Sequence, residues 1–270
     1  MKILVTGAGG QVGRALAAAL PDATVLDRAT LDVTAPGDLS GWDVVVNAAA
    51  WTDVDGAQIH RAAAWRVNAA APAALARAAP DAVLVHFSSE YVFDGTLDRP
   101  YREDDAVAPL SAYGASKAAG DLAVCLHERH YLLRPTWVFG NGRNFVATML
   151  GLAARGIAPS VVDDQIGRPT FAGDLAAAVV HLVTAGAPFG TYHVTGGGEP
   201  GSWHAVARAT YDLAGRRDLA VTPVSTAAYF AGRPDAAARP LNSVLDTSRA
   251  ATAGVAMPDW RDRLAEYVRS

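Results

Sequence analysis

Tyr113 and Lys117 stand four residues apart in an alanine-rich stretch of helical character, which puts a phenol and an ammonium on one face, one turn apart. A free phenol, with a pKa of about 10, exchanges protons poorly near neutrality, and a fixed neighbouring cation lowers that value by favouring the phenolate. The pair therefore reads as an acid–base group. Lys2 and Lys117 are the only lysines, every other permanently basic side chain being arginine. That contrast marks position 117 as one where an ammonium is needed. An apolar run ending in Ser88-Ser89-Glu90 sets hydroxyls at the end of a strand. There Ser89 is expected to hydrogen-bond a substrate carbonyl oxygen and align it for the phenol.

The run Gly7-Ala8-Gly9-Gly10-Gln11-Val12-Gly13 follows the first apolar stretch and opens a helix. Gly7 suits a tight turn, Gly10 lets backbone approach a pyrophosphate, and Gly13 allows close helix-to-strand packing. The helix start, including Gln11 and Val12, supplies free N–H donors. The loop predicts a dinucleotide cradle. Roughly 20 residues on, Asp27 ends the second strand, where a carboxylate accepts hydrogen bonds from the adenosine ribose and favours NADH. Arg28 follows and is suited to a 2′-phosphate, so NADPH and NADH both stay open. Asp32 and Val33 lie on the next loop, either against the adenine or simply in the turn before Pro36.

These groups need a scaffold that brings strand ends and helix starts together. Apolar runs at residues 2–6, 24–27, 43–47, 82–88 and 131–134 alternate with helical patterns at 11–20, 58–79 and 112–129. Such alternation predicts a Rossmann-like α/β fold, a doubly wound parallel sheet covered on both faces. Beyond residue 140 glycine-rich loops take a larger share, at 140–144, 167–170 and 196–201, and loops on a rigid scaffold are where ligand contacts concentrate. Residues 1–145 are thus expected to form the dinucleotide-binding domain, completed by about 171–195 through a helix at 173–185 and a strand at 191–194. Residues 146–270 are expected to form mainly a smaller substrate-binding lobe.

With 270 residues, 51% of them hydrophobic, the chain can bury a large core and is no small stapled scaffold. Lys plus Arg total 23 against 27 for Asp plus Glu, and no basic stretch is interleaved with aromatics, so no nucleic-acid partner is expected. Cys125 is the single cysteine and the N-terminal apolar run is too short for a signal sequence or membrane span, which points to the cytoplasm and no membrane partner. The seven histidines include His127-Glu128-Arg129-His130, which lacks the i, i+4 spacing of a zinc site, and no metal is expected. Residues 102–105, Arg-Glu-Asp-Asp, read as a solvated loop. Trp42, Trp65, Trp203 and Trp260 read as packing residues, Trp51 is open, and Arg168 and Asn144 are candidates for diphosphate or thymine contacts.

The glycine loop, the hydroxyl at 89 and Tyr113-x-x-x-Lys117 together resemble the extended short-chain dehydrogenase/reductase family. Within it, the sequence is similar to the reductases of dTDP-linked 4-keto-6-deoxysugars. The similarity runs through Asn47-Ala48-Ala49-Ala50-Trp51-Thr52-Asp53-Val54-Asp55, Val67-Asn68, Ser89-Glu90-Tyr91-Val92-Phe93-Asp94-Gly95 and Tyr113-Gly114-Ala115-Ser116-Lys117. It continues through residues 133–140, 144–145, 164–170 and 239–243, and so covers almost the whole chain.

The resemblance implies NAD(P)H-dependent reduction of the C4 ketone, dTDP-4-dehydrorhamnose giving dTDP-rhamnose. It puts catalysis on Ser89, Tyr113 and Lys117, cofactor contacts on the glycine loop, Asp32, Val33 and Ala48, Ala49, Ala50, and sugar-nucleotide contacts on Thr52, Val54, Ser88, Ser89, Glu90 and Trp137. Where the family has threonine then aspartate, this chain has Ser89 and Glu90, which leaves the sugar open. Some relatives bind magnesium at a dimer contact; a homodimer is compatible with this chain, but no matching carboxylates are found. Two alternatives stand: a reductase of another nucleotide-linked keto sugar, and a catalytically silent nucleotide-binding regulatory subunit, against which the intact Tyr113 and Lys117 argue.

Overall fold

Six short strands, β1 (Ile3–Thr6), β2 (Thr24–Leu26), β3 (Val44–Asn47), β4 (Val83–Phe87), β5 (His130–Arg134) and β6 (Gly190–His193), form one parallel sheet in the order β2-β1-β3-β4-β5-β6. The computed structural model describes residues 1–269. Every residue of β3 and β4 is buried, as a sheet covered on both faces requires. On one face Leu16, Leu175, Val179 and Leu182, from helices Gln11–Ala19 and Ala172–Ala185, pack on Val5, Val46 and Val85. On the other, Leu39, Leu75 and Val124 pack on Leu4, Val45 and Leu84. The chain winds outward from β1 to β2 and then in the opposite direction from β3, so a crevice opens at the carboxyl ends of β1 and β3, the switch point where such sheets bind ligands.

The helix expected over 58–79 is broken. Helix Val54–Ile59 ends at His60, helix Arg61–Trp65 follows, and a π-helical turn, Arg66–Ala70, leads into helix Ala71–Ala78. Pro72 accounts for the irregular turn, since it has no N–H for the carbonyl four residues back and its ring would clash with that carbonyl in an α-helix. The carbonyl concerned, on Asn68, abuts Gly120, where a Cβ would lie 2.1 Å from it. The buried Asn68 side chain donates to Ser116 Oγ at 3.0 Å and exchanges hydrogen bonds with the Trp51 backbone at 2.8 and 3.0 Å. One kink thus fixes the loop after β3 against the helix that carries Tyr113. That helix, Ala112–Cys125, stops short of the expected residue 129.

Residues 102–105 are not simply solvated. Glu103 accepts the His193 N–H at 3.0 Å, occupying a donor of edge strand β6, and Asp105 takes a two-pronged pair from Arg99 at 2.7 Å. A second body of packing surrounds helices Phe145–Ala154, Trp203–Leu213 and Trp260–Arg269. Its clusters are centred on Phe139, Val146, Val206, Trp260 and Leu264, and on Met149, Val161, Tyr211 and Val221.

Candidate active site

Helix Ala112–Cys125 begins at Ser111, whose hydroxyl accepts the Gly114 N–H at 3.1 Å. Gly114 is pressed against the Tyr91 carbonyl, 2.2 Å from where a Cβ would stand, so no other residue lets the helix start this close to the turn that follows β4. The face turned to the sheet buries Tyr113, Ser116, Lys117, Asp121 and Val124, and carries phenol and ammonium to the carboxyl end of β4.

Lys117 is 1% exposed and its Nζ donates to the Phe87 carbonyl. Burial lowers its pKa to about 8, against the pull of Asp121. The Tyr113 ring packs edge-on against Tyr91 at 5.4 Å. Burial first, and then Glu90, hold the phenol above its ordinary pKa, while a hydrogen bond with the Ser89 hydroxyl works the other way. The sequence-based expectation that Lys117 primes the phenol downward is therefore corrected: the ammonium is turned to a carbonyl and burial dominates. Tyr113 stays protonated, the state in which a proton donor is useful.

Behind these groups lies a second buried set. Asp121 accepts from Ser88 Oγ at 2.8 Å and Arg134 Nε at 3.1 Å, and the two charged side chains of that pair are each 5% exposed. The Ser88 hydroxyl donates its proton to Asp121 and keeps its oxygen lone pairs at the cleft wall as acceptors. Ser89 Oγ donates to Glu90 Oε2 at 2.6 Å, and burial raises Glu90 to about 7.

A cleft of about 680 Å³ joins these residues to the glycine loop. Its lining includes Gly10, Gln11 and Val12; Ala48, Ala50, Thr52 and Val54; Ser88, Ser89, Glu90, Tyr113 and Lys117; and Trp137. The cradle fits a dinucleotide. Gly7 has φ +81°, and a Cβ there would stand 2.5 Å from the backbone of Ala48 and Ala49; one on Gly13 would stand 2.1 Å from the Gly7 carbonyl. Around Gly9 a Cβ meets nothing within 4 Å, so the loop's outer side is open. Helix Gln11–Ala19 has no side-chain cap, and the buried Gln11 Oε1 has no partner among the described residues.

Gly7, Gly13 and Ala49 serve the cradle from behind, outside the lining. Asp27, Arg28, Asp32 and Val33 are also off the cleft wall, at the end of β2 and beyond. The Asp27 carboxylate accepts Ala29 N, Thr30 N and Thr30 Oγ1 at 3.0, 3.1 and 3.0 Å, and Asp32 holds Thr34 in the same way, so both carboxylates brace their own turns. Asn144 caps helix Phe145–Ala154, and Arg168 donates to the Gly198 and Leu245 carbonyls; neither lines the cleft.

Arg14, Arg143 and Trp203 are among the cleft residues that were not foreseen. Arg14 stands on the first turn of helix Gln11–Ala19 and Arg143 in the Gly-Asn-Gly-Arg-Asn run, and both bring cations to the wall; their adjacency to glycine-rich runs was the available signal. Trp203, expected to be packing, lines the cleft stacked on Trp137, ring centroids 3.9 Å apart and planes 18° apart. Trp137 has φ +45°, a left-handed conformation costly for a bulky side chain, and its indole lies over Gly167. Trp203→Ala removes one ring of this pair, worth roughly 1.4 kcal/mol, and is expected to raise KM for a bound aromatic ligand about tenfold with less effect on kcat. An unchanged KM in steady-state kinetics would exclude the stack from binding.

The RmlD substrate binding domain family matches residues 1–270. A dTDP-4-dehydrorhamnose reductase of Burkholderia thailandensis is 42% identical over 298 residues, spanning 100% of this chain and 98% of that protein. A crystal structure of a dTDP-4-dehydrorhamnose reductase from Clostridium acetobutylicum superposes with a TM-score of 0.91 at 36% identity, over 100% of this chain and 99% of that one. A dTDP-4-dehydrorhamnose reductase from Bacillus anthracis, solved in complex with NADP, superposes with a TM-score of 0.88 at 35% identity, over 99% and 98%.

Proposed function

Because the chain belongs to the RmlD substrate binding domain family, we propose that it is an NADPH-dependent oxidoreductase that reduces the C4 ketone of dTDP-4-dehydrorhamnose to give dTDP-rhamnose. One observation carries the chemistry: Tyr113, Ser89 and Lys117 are buried side by side in a cleft that runs to the glycine loop. NADPH, when bound, supplies the hydride.

Ser89 holds the C4 oxygen of the sugar in line with the phenol, and Tyr113 donates its O–H proton to that oxygen as negative charge gathers there. Lys117, its ammonium steadied by the Phe87 carbonyl, holds the nicotinamide ribose and then balances the phenolate. Gly7, Gly10, Gln11, Val12 and Gly13 with Ala48, Ala49 and Ala50 form the seat for the dinucleotide diphosphate. Asp27, Arg28, Asp32 and Val33 are assigned to its adenosine end. Thr52, Val54 and Trp137 contact the sugar nucleotide.

In this reading residues 1–145 with about 171–195 hold the cofactor and the rest of 146–270 mainly the sugar nucleotide. No helix among the described residues is long and apolar enough to cross a membrane; a cytoplasmic location and a homodimer complete the proposal, and sedimentation tests the latter. The activity itself is tested by following the loss of reduced-nicotinamide absorbance with dTDP-4-dehydrorhamnose, with NADPH and NADH in turn. Oxidation dependent on the sugar is expected. Its absence with this sugar, and its presence with another nucleotide-linked keto sugar, would keep the chemistry and overturn the substrate.

A further inference from the structure

Arg14 and Arg143 face the cleft in a chain whose net charge is -4, and neither forms an ion pair among the described residues. Glu90 is the only carboxyl residue in the lining, and it is hydrogen-bonded to Ser89 at 2.6 Å. Positive charge left without a counter-charge on a concave wall concentrates anions there. We propose that Arg14 and Arg143 grip the diphosphate of the dinucleotide together with the glycine loop, with residues 140–144 as a preformed strap that carries Arg143. The proposal rests on the NADPH-dependent reading of the site and adds two residues to it.

The strap is held from within. Its run Gly-Asn-Gly-Arg-Asn has three successive carbonyls occupied: Gly140 accepts from Asn144 Nδ2 at 2.7 Å and from the Tyr267 hydroxyl at 3.1 Å, Asn141 from Arg14 Nη2 at 2.7 Å, and Gly142 from Asn144 Nδ2 at 3.1 Å. Gly142 has φ +116°, which favours glycine, and a Cβ there would stand 2.3 Å from Arg14 Nη2. Arg143, between these tied residues, makes no hydrogen bond among the described residues, so its whole guanidinium fork is available to a ligand. Arg14 spends one N–H on Asn141 and keeps the others.

Two diphosphates have to enter this cleft, and the seat of the strap decides between them. Arg14 stands on the first turn of helix Gln11–Ala19, whose N-terminus has no side-chain cap and closes the glycine loop. A Cβ built on Gly140 or on Gly142 would come within 3.9 Å of Gln11 on that same turn. The strap therefore lies along the helix that begins the dinucleotide cradle. The residues assigned to the sugar nucleotide, Thr52, Val54 and Ser88 to Glu90, follow β3 and β4 instead. Two planar guanidinium forks match the paired charges and the oxygens of a diphosphate bridge.

The test titrates NADPH, NADH and dTDP separately, with no sugar substrate present, into wild type, Arg14→Ala, Arg143→Gln and Arg143→Lys by calorimetry. Arg14→Ala and Arg143→Gln are each expected to weaken NADPH and NADH by the same factor, about tenfold. The loss shrinks when salt is raised from about 0.05 M to about 0.5 M. Arg143→Lys keeps the charge without the fork and falls between Arg143→Gln and wild type. Affinity for dTDP stays at the wild-type value, and so does the melting temperature, because both arginines are exposed. Weakening of NADPH alone would overturn the proposal by placing the contact on the 2′-phosphate. Weakening of dTDP with the dinucleotides unaffected would overturn it in favour of the sugar nucleotide, and unchanged affinities throughout would remove both arginines from binding. Failure of the reductase reading would show in the wild-type protein, as cofactor left unoxidised when the sugar is added; failure of the clamp shows only in the variants.

Discussion

Tyr113→Phe lowers turnover by about 10²-fold or more, the scale of a lost general acid, with KM moving far less than kcat. The substitution keeps the ring that packs edge-on against Tyr91 at 5.4 Å and deletes only the hydroxyl. Ser89 can still hold the substrate oxygen, but no group beside it offers a proton in the same place. Steady-state kinetics of the purified variant check the expectation. Near-normal turnover would remove Tyr113 from the mechanism.

Asp121→Ala unfolds far more easily than wild type, by about 3–5 kcal/mol, because it strips the counter-charge from a buried cation. Arg134 Nε sits 3.1 Å from Asp121 in a pair with both side chains 5% exposed, and Lys117 lies one helical turn away with its own charge already disfavoured by burial. A loss of that size is a large part of the 5–15 kcal/mol that holds a typical domain together. Urea unfolding measures it. A difference under about 1 kcal/mol would mean that the remaining polar groups solvate Arg134 without the carboxylate.

The cradle and the acid–base pair were legible in the sequence because they are local. The glycine spacing that lets Gly7 meet Ala48 and Gly13 meet the Gly7 carbonyl is written in seven consecutive residues, and Tyr113 with Lys117 in five. The five apolar runs found their strands to within a residue or so, since β3 and β4 are buried on both faces and leave no polar alternation to confuse them. What depended on tertiary contact was not legible. The break in the 58–79 helix follows from Pro72 together with the fit of Asn68 against Gly120, 52 positions later in the chain. Trp203 read as packing because nothing nearby in sequence reveals that it stacks on Trp137, 66 positions earlier. The direction of the Tyr113 shift was misjudged for the same reason: spacing puts an ammonium nearby, but only the fold shows it turned toward Phe87 and the phenol buried beside Glu90.

The central claim is that this cleft delivers hydride to C4 of a dTDP-linked keto sugar while Tyr113 protonates the oxygen. Turnover of dTDP-4-dehydrorhamnose with NADPH deuterated at the transferable position, followed by mass spectrometry and NMR of the sugar, tests it most directly. The account predicts a single deuterium, bonded to C4 of a dTDP-rhamnose product. Deuterium at another carbon, or cofactor oxidation with no deuterium in the sugar, would contradict it.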